Sequence, residues 1–154
     1  MVKRVVQWFG FVVLCNGVGL ASALVANEPA FYQRLARPTW APPPSVFGPV
    51  WTLLYTLMGT ATWLVWTRTA GVRRRRAMTA FALQLAFNAI WTPVFFGLHA
   101  LGASVVIILL VLVFVLAMIA VYARVSKLAA ALVSPLAAWV AFASALDIAI
   151  FALN

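Results

Sequence analysis

The chain has 154 residues, of which 66% are hydrophobic and only 8% charged, and its mean hydropathy is +1.08. A soluble domain carries roughly 45–50% apolar and about 25% charged residues, so the composition excludes an ordinary soluble protein and indicates an integral membrane protein. Eleven Lys and Arg against two acids give a net charge of +9; in a membrane chain such an excess sets orientation, and nucleic acid is not an expected partner.

Five stretches carry almost no Lys, Arg, Asp or Glu: residues 5–26, 47–67, 77–98, 100–122 and 128–153. Each reaches the ~20 residues that cross ~30 Å of hydrocarbon as a helix, and none alternates as a membrane strand does. The expected fold is an all-α bundle of five transmembrane helices, forming a single domain over residues 1–154. The first stretch follows Lys3 and Arg4 and contains Ala21-Ser22-Ala23, as a cleavable signal peptide would. Its apolar run of about twenty residues exceeds the usual 7–15, so it is read as a retained helix, with Gly17 and Gly19 as close-packing positions. The single cysteine, Cys15, can form no internal disulfide.

Between the first two stretches, Arg37-Pro38-Thr39-Trp40-Ala41-Pro42-Pro43-Pro44 cannot be helical. Each proline fixes φ, lacks an N–H and pushes its predecessor toward extended backbone. This segment, with Tyr32 just before it, is read as a rigid lid that includes Arg37, Pro38, Trp40, Pro42 and Pro43. Glu28 is expected to flank a short interfacial helix over residues 29–35 and to pair with Arg34 or Arg37, a contact worth about 0–1 kcal/mol. Trp40 fits either a pocket cover or the aromatic belt at headgroup level. Trp51, Tyr55 and Met58 follow at helical spacing and share one face beneath the lid.

Gln84, Asn88 and Trp91, at i, i+4 and i+7, also share a face. Amides inside a membrane helix are costly unless paired, so they should face the bundle or a ligand; interhelical hydrogen bonds, worth roughly 0.6 kcal/mol each, are the alternative. Pro93 frees a backbone carbonyl, and Phe95-Phe96-Gly97 closes that helix. Ala82 and Ala86, on another face, form a small-xxx-small pair suited to dimerisation. His99 falls in a short loop, and the Val/Ile/Leu-rich fourth stretch reads as scaffold. The last stretch holds Pro135, Trp139, Ser144 and Asp147. A carboxylate at mid-membrane costs about 2.5–3.5 kcal/mol on insertion scales, so Asp147 should face inward, be neutralised, or lie near the outer surface; a proton or ligand role is the alternative.

Nine basic residues (Lys3, Arg4, Arg68, Arg73, Arg74, Arg75, Arg76, Arg124 and Lys127) fall on one side of a five-span topology, against Arg34 and Arg37 on the other. The positive-inside rule then puts the N-terminus in the cytoplasm and the lid on the periplasmic or extracytoplasmic face. A bacterial inner membrane is the expected location, with the outer membrane as the other possibility. The four-arginine run is a topology anchor, and contact with anionic lipid follows from it. There is no carboxylate pair, no His/Cys cluster, no Gly-rich phosphate loop and no set resembling Ser/His/Asp. No metal or required cofactor is expected, nor hydrolytic chemistry.

The patterns FYxxLxRPxWxPPxxVFxxVWxxLYxxM over residues 31–58, QLxFNxxWTPVFFG over 84–97 and PxxxWVxFASxL over 135–146 resemble the TspO/MBR family of tryptophan-rich sensory proteins and translocator (peripheral benzodiazepine receptor) proteins. The resemblance implies a five-helix bundle, often homodimeric, whose outer half binds porphyrins and related hydrophobic ligands. It carries pocket roles to Trp40, Trp51, Asn88, Trp91 and Trp139, and in bacterial members the tryptophans matching Trp51 and Trp139 are linked to light-dependent porphyrin breakdown. Phe31, Leu136 and Asp147 stand where the family often has Trp, Tyr and Asn. The sterol-recognition pattern of animal members does not occur before Asn154, which leaves sterol binding open. The leading expectation is a receptor or sensor for porphyrins such as protoporphyrin IX. Tyr55, Gln84 and Asp147 join the family's positions around the ligand, and Arg37 meets its propionates. Photo-oxidative degradation through Trp51 and Trp139 is the alternative; a transporter ranks below both, because neither inverted repeats nor paired broken helices are evident.

Overall fold

The computed structural model describes residues 2–26 and 29–154, and no strand occurs among them. Five long helices carry the chain: α1 (Val2–Ala26), α3 (Phe47–Arg68), α4 (Gly71–Thr92), α5 (Leu101–Ala123) and α6 (Lys127–Leu153), with a short α2 (Pro29–Arg34) in the first connection. α1, α4 with its extension to Gly97, α5 and α6 are each long and apolar enough to cross a membrane, so the protein is integral and multi-pass. α3 has 22 residues, but tryptophan and threonine dilute its apolarity. The hydroxyls of Thr52, Thr56, Thr60 and Thr62 each donate to the carbonyl four residues earlier at 2.8–3.0 Å.

The turns show why successive helices run antiparallel. Gly71 has φ +56, a left-handed conformation that glycine adopts without steric cost, and it starts α4 immediately after α3. Arg74 donates from Nε and Nη2 to the Thr69 carbonyl and lies 4.5 Å over the Trp66 ring. Ser126 caps α6 by accepting from the Ala129 N–H, and it also accepts from Arg68 Nη1 at 2.7 Å. The α3–α4 and α5–α6 turns therefore meet at one end of the bundle. At the other end Phe31 stacks on His99 with ring centroids 3.9 Å apart. Asn154 accepts from the Ala36 N–H at 3.0 Å and donates to the Ala36 carbonyl at 2.9 Å. The proline-rich connection, the α4–α5 turn and the end of α6 thus share that end.

The chain departs from the expected segments where backbone chemistry intervenes. α4 begins six residues earlier than the apolar run, because Gly71 starts it and all four consecutive arginines wind into its first turns. At Pro93 the α-helical pitch gives way to a wider turn over Pro93–Gly97, closed by the Leu98 N–H on the Pro93 carbonyl at 2.8 Å, as expected where a proline removes a helical donor. The part proposed for Glu28 lies outside the described residues. Ala82 and Ala86 are exposed on α4.

Met58, Val65, Val115, Met118, Tyr122 and Val140 are fully buried between the helices, and Tyr122 donates to Thr62 Oγ1 at 2.9 Å. α1 and α3 approach closely at Gly59, where a β-carbon would lie 2.9 Å from the Phe11 carbonyl oxygen and the Val12 Cα. A β-carbon on Gly19 would sit 2.2 Å from the Tyr55 ring, whereas one on Gly17 would meet nothing within 4 Å. Of the two glycines expected to pack closely, only Gly19 does.

Candidate functional site

A cavity of about 490 Å³ lies between α1, α3 and the end of α4. Five aromatic side chains contribute to its walls. Phe47, Trp51 and Tyr55 come from consecutive turns of α3, and Trp91 and Phe96 from α4 and its wide turn. The Trp51 and Tyr55 rings are tilted by 30° with centroids 5.5 Å apart, as the i, i+4 spacing dictates. Gly19 leaves the room on α1 that the Tyr55 ring occupies. Leu20 and Leu24 of α1 and Gly48 and Thr52 of α3 are exposed at the rim, so the opening lies on the side of the bundle. Met58, next on the α3 stripe, is packed in the core and does not reach this wall.

Trp91 forms the inner wall and is fixed from behind. Its indole Nε1 donates to Asp147 Oδ2 at 3.0 Å, and Ser104 Oγ lies 2.9 Å from Asp147 Oδ1. Asp147 is 1% exposed and so faces inward, tying α6 to α4 and α5 close to the proline-rich end. Ser104 Oγ is also 2.8 Å from the Leu101 carbonyl, and one hydroxyl proton cannot serve both acceptors. A side-chain amide fits the same atoms: its oxygen accepts from Trp91, and its nitrogen donates to Ser104, whose proton then goes to Leu101. Asp147→Asn is therefore expected to change thermal stability by less than about 1 kcal/mol, whereas Asp147→Leu strands the Trp91 N–H at a cost of about 1–3 kcal/mol. Melting curves of the two variants, with tryptophan emission as the local readout, check this; equal losses would show that the acid itself is needed.

Behind the Phe47, Trp91 and Phe96 rings is a second space of only about 10 Å³, bordered by Tyr32, Leu146 and Asp147. It holds no more than a water. The three rings line both volumes and act as a partition. Gln84 and Asn88 are 0% and 2% exposed. They do not line the cavity, and both polar atoms of the Gln84 amide and the Asn88 amide nitrogen lack hydrogen-bond partners. Trp139 also has an unpartnered, buried indole N–H; its ring packs on Phe47 at 6.1 Å and on Phe142 at 5.4 Å, one ring removed from the cavity.

The proline-rich connection docks on this α6 side. Tyr32 is buried and donates to the Pro42 carbonyl at 3.1 Å, while Arg37 lies 4.8 Å over its ring. Burial pushes the Tyr32 phenol above its ordinary range, against the opposing pull of the Arg37 guanidinium. The Ala41 N–H closes a turn on the Pro38 carbonyl, and the Val46 N–H bonds the Pro43 carbonyl. Trp40, 49% exposed, packs edge-on against Phe142 at 5.7 Å. Among the described residues, nothing between 29 and 46 lines the main cavity.

Of the residues singled out from sequence, Trp51, Tyr55 and Trp91 are brought together around the cavity, and Asp147 is bonded to the last. Gln84, Asn88, Trp139 and Trp40 lie around it. Sequence reasoning missed Phe47 and Phe96, read only as motif positions at helix ends, and Ser104, a lone serine in an otherwise featureless apolar run.

The TspO/MBR family profile matches residues 11–153. The tryptophan-rich protein TspO of Chlorobaculum tepidum is 38% identical over 146 residues, covering 92% of this chain and 91% of that protein. The translocator protein of Homo sapiens is 39% identical over 119 residues, 76% of this chain and 70% of its own length. The tryptophan-rich sensory protein of Cereibacter sphaeroides is 32% identical over 145 residues, 94% and 89% of the two chains. The matched region takes in the cavity walls, the Trp91–Asp147 pair and the proline-rich connection, and the chain belongs to the TspO/MBR family.

Proposed function

We propose that this protein is a membrane receptor or sensor that binds porphyrins and similar hydrophobic ligands inside its helix bundle. The supporting observation is the aromatic cavity of about 490 Å³, within the ~300–1,000 Å³ usual for small-molecule sites. Trp51 and Trp91 offer faces for a macrocycle. The unpartnered polar atoms of Gln84, Asn88 and Trp139 offer hydrogen bonds to its edge once the Phe47–Trp91–Phe96 partition turns aside. In this reading the proline-rich connection is the lid over the α6 side, and Arg37 meets ligand carboxylates at the surface.

The reading takes α3 as a fifth span. It is as long as α4, and its threonine hydroxyls are satisfied by its own backbone, as a lipid environment requires. The nine basic residues then lie on the cytoplasmic side of a bacterial inner membrane, and the lid lies outside. Exposed Ala82 and Ala86 of α4 are the surface proposed for a homodimer. A second reading, light-dependent porphyrin breakdown, is favoured by the position of Trp51 on the cavity wall beside Tyr55.

Titration of the detergent-solubilised protein with protoporphyrin IX in the dark, followed by tryptophan quenching, tests the binding. Saturable, micromolar quenching that weakens severalfold in Trp139→Phe is expected; linear quenching indifferent to the substitution refutes the pocket. Illumination of the same samples separates the two readings, because breakdown requires product formation that Trp51→Phe abolishes while binding survives.

A further inference from the structure

The arginine-bearing end of the bundle has a second concave feature, which the porphyrin reading leaves unused. A groove of about 500 Å³ runs between α4 and α5. Arg75 and Arg76 lie at its basic end, Ala80 and Ala117 are small enough to leave the depression, and Leu83 and Phe114 border its deeper end. From Arg75 to Leu83 is eight residues of helix, about 12 Å along the axis. Phe114 is braced at that depth by Phe87, ring centroids 4.8 Å apart. The groove therefore passes from strongly basic to wholly apolar along two helices that are each long and apolar enough to span a membrane.

The arginines at this end are not equivalent. Arg68 is held by Ser126, and Arg74 by Thr69 and Trp66. Arg75 and Arg76 are exposed and have no hydrogen-bond or ion-pair partner among the described residues. The one acid among those residues, Asp147, is engaged near the opposite end. None of the described residues supplies their counter-charge.

We propose that this groove is a binding site for an anionic phospholipid. One acyl chain lies over Ala80 and Ala117 toward Phe114, and the headgroup phosphate sits between the Arg75 and Arg76 guanidiniums, whose forked donors match phosphate oxygens. The site rests on α4 and α5 alone and is independent of the porphyrin cavity.

Native mass spectrometry of the full chain released from detergent, loaded with equal phosphatidylglycerol and phosphatidylcholine, tests the proposal. The expected result is one retained phosphatidylglycerol per chain in preference to phosphatidylcholine, with affinity falling about fivefold for each arginine removed in Arg75→Gln and Arg76→Gln. Arg73→Gln, in the same run but off the groove, should leave retention unchanged. Ala117→Phe, which fills the groove and keeps every arginine, should lower it. Equal loss in Arg73→Gln would show diffuse attraction to a basic surface and overturn the site. Indifference to Ala117→Phe, or equal competition by glycerol phosphate without acyl chains, would overturn the seat for the acyl chain. Protoporphyrin titrations of the same variants should match wild type.

Discussion

Replacing Gln84 with methionine is expected to raise the thermal midpoint of the ligand-free protein and to weaken porphyrin binding together. Gln84 is 0% exposed, and neither its amide nitrogen nor its oxygen has a partner. An unsatisfied buried polar group costs about 1–3 kcal/mol, and an apolar group of the same shape removes that cost. Methionine has nearly the same length and flexibility and fills irregular space without strain. The usual core substitution destabilises; here the sign should reverse, with a gain of about 1–3 kcal/mol. If the amide serves the ligand, its loss should reduce affinity about tenfold, the equivalent of ~1.4 kcal/mol. Circular dichroism melts in detergent and dark protoporphyrin titrations measure the two effects. A variant that melts lower while binding normally would show that Gln84 is structural and would remove it from the site. Asn88, with only its amide nitrogen unpartnered, should show the same pattern more weakly.

That pairing of stability and function explains which parts of the site could be read from sequence. Helical spacing placed Trp51 with Tyr55 and Gln84 with Asn88 and Trp91 on common faces, because position on one helix follows from 3.6 residues per turn alone. Spacing does not say which face meets which neighbour. The bond from Trp91 to Asp147 joins residues 56 apart in sequence, and the Ser104 contact comes from a helix with no polar pattern to betray it. Trp139 belongs with the cavity tryptophans by sequence pattern, yet Phe47 stands between, since aromatic composition is blind to the order of rings in space. Composition identified a membrane bundle, but the same tryptophans and threonines that furnish α3 with its wall residues leave it outside the apolar range of α1, α4, α5 and α6. The proline-rich segment was legible as non-helical from covalent geometry; its docking against α6 and Asn154 depends on tertiary contacts that no local rule contains.

Three glycines should respond to alanine in three different ways, and together they test how α1 seats on α3. At Gly59 the added methyl would meet main-chain atoms of α1 at 2.9–3.0 Å. Backbone cannot rotate away, so the helices must separate and lose contact along their shared face. Gly59→Ala is therefore expected to cost about 1–3 kcal/mol as overpacking, despite the ~1 kcal/mol that alanine otherwise gains over glycine inside a helix. At Gly17 the methyl meets nothing within 4 Å, so only the propensity gain remains and the melting temperature should rise slightly. At Gly19 the obstacle is the Tyr55 ring, a side chain that can turn. Gly19→Ala should then melt close to wild type but displace a wall of the cavity and weaken protoporphyrin binding. Melts and dark titrations of the three variants resolve the pattern. A loss at Gly17 equal to that at Gly59 would mean that α1 presents a different face to α3, and the cavity between them would lose its wall.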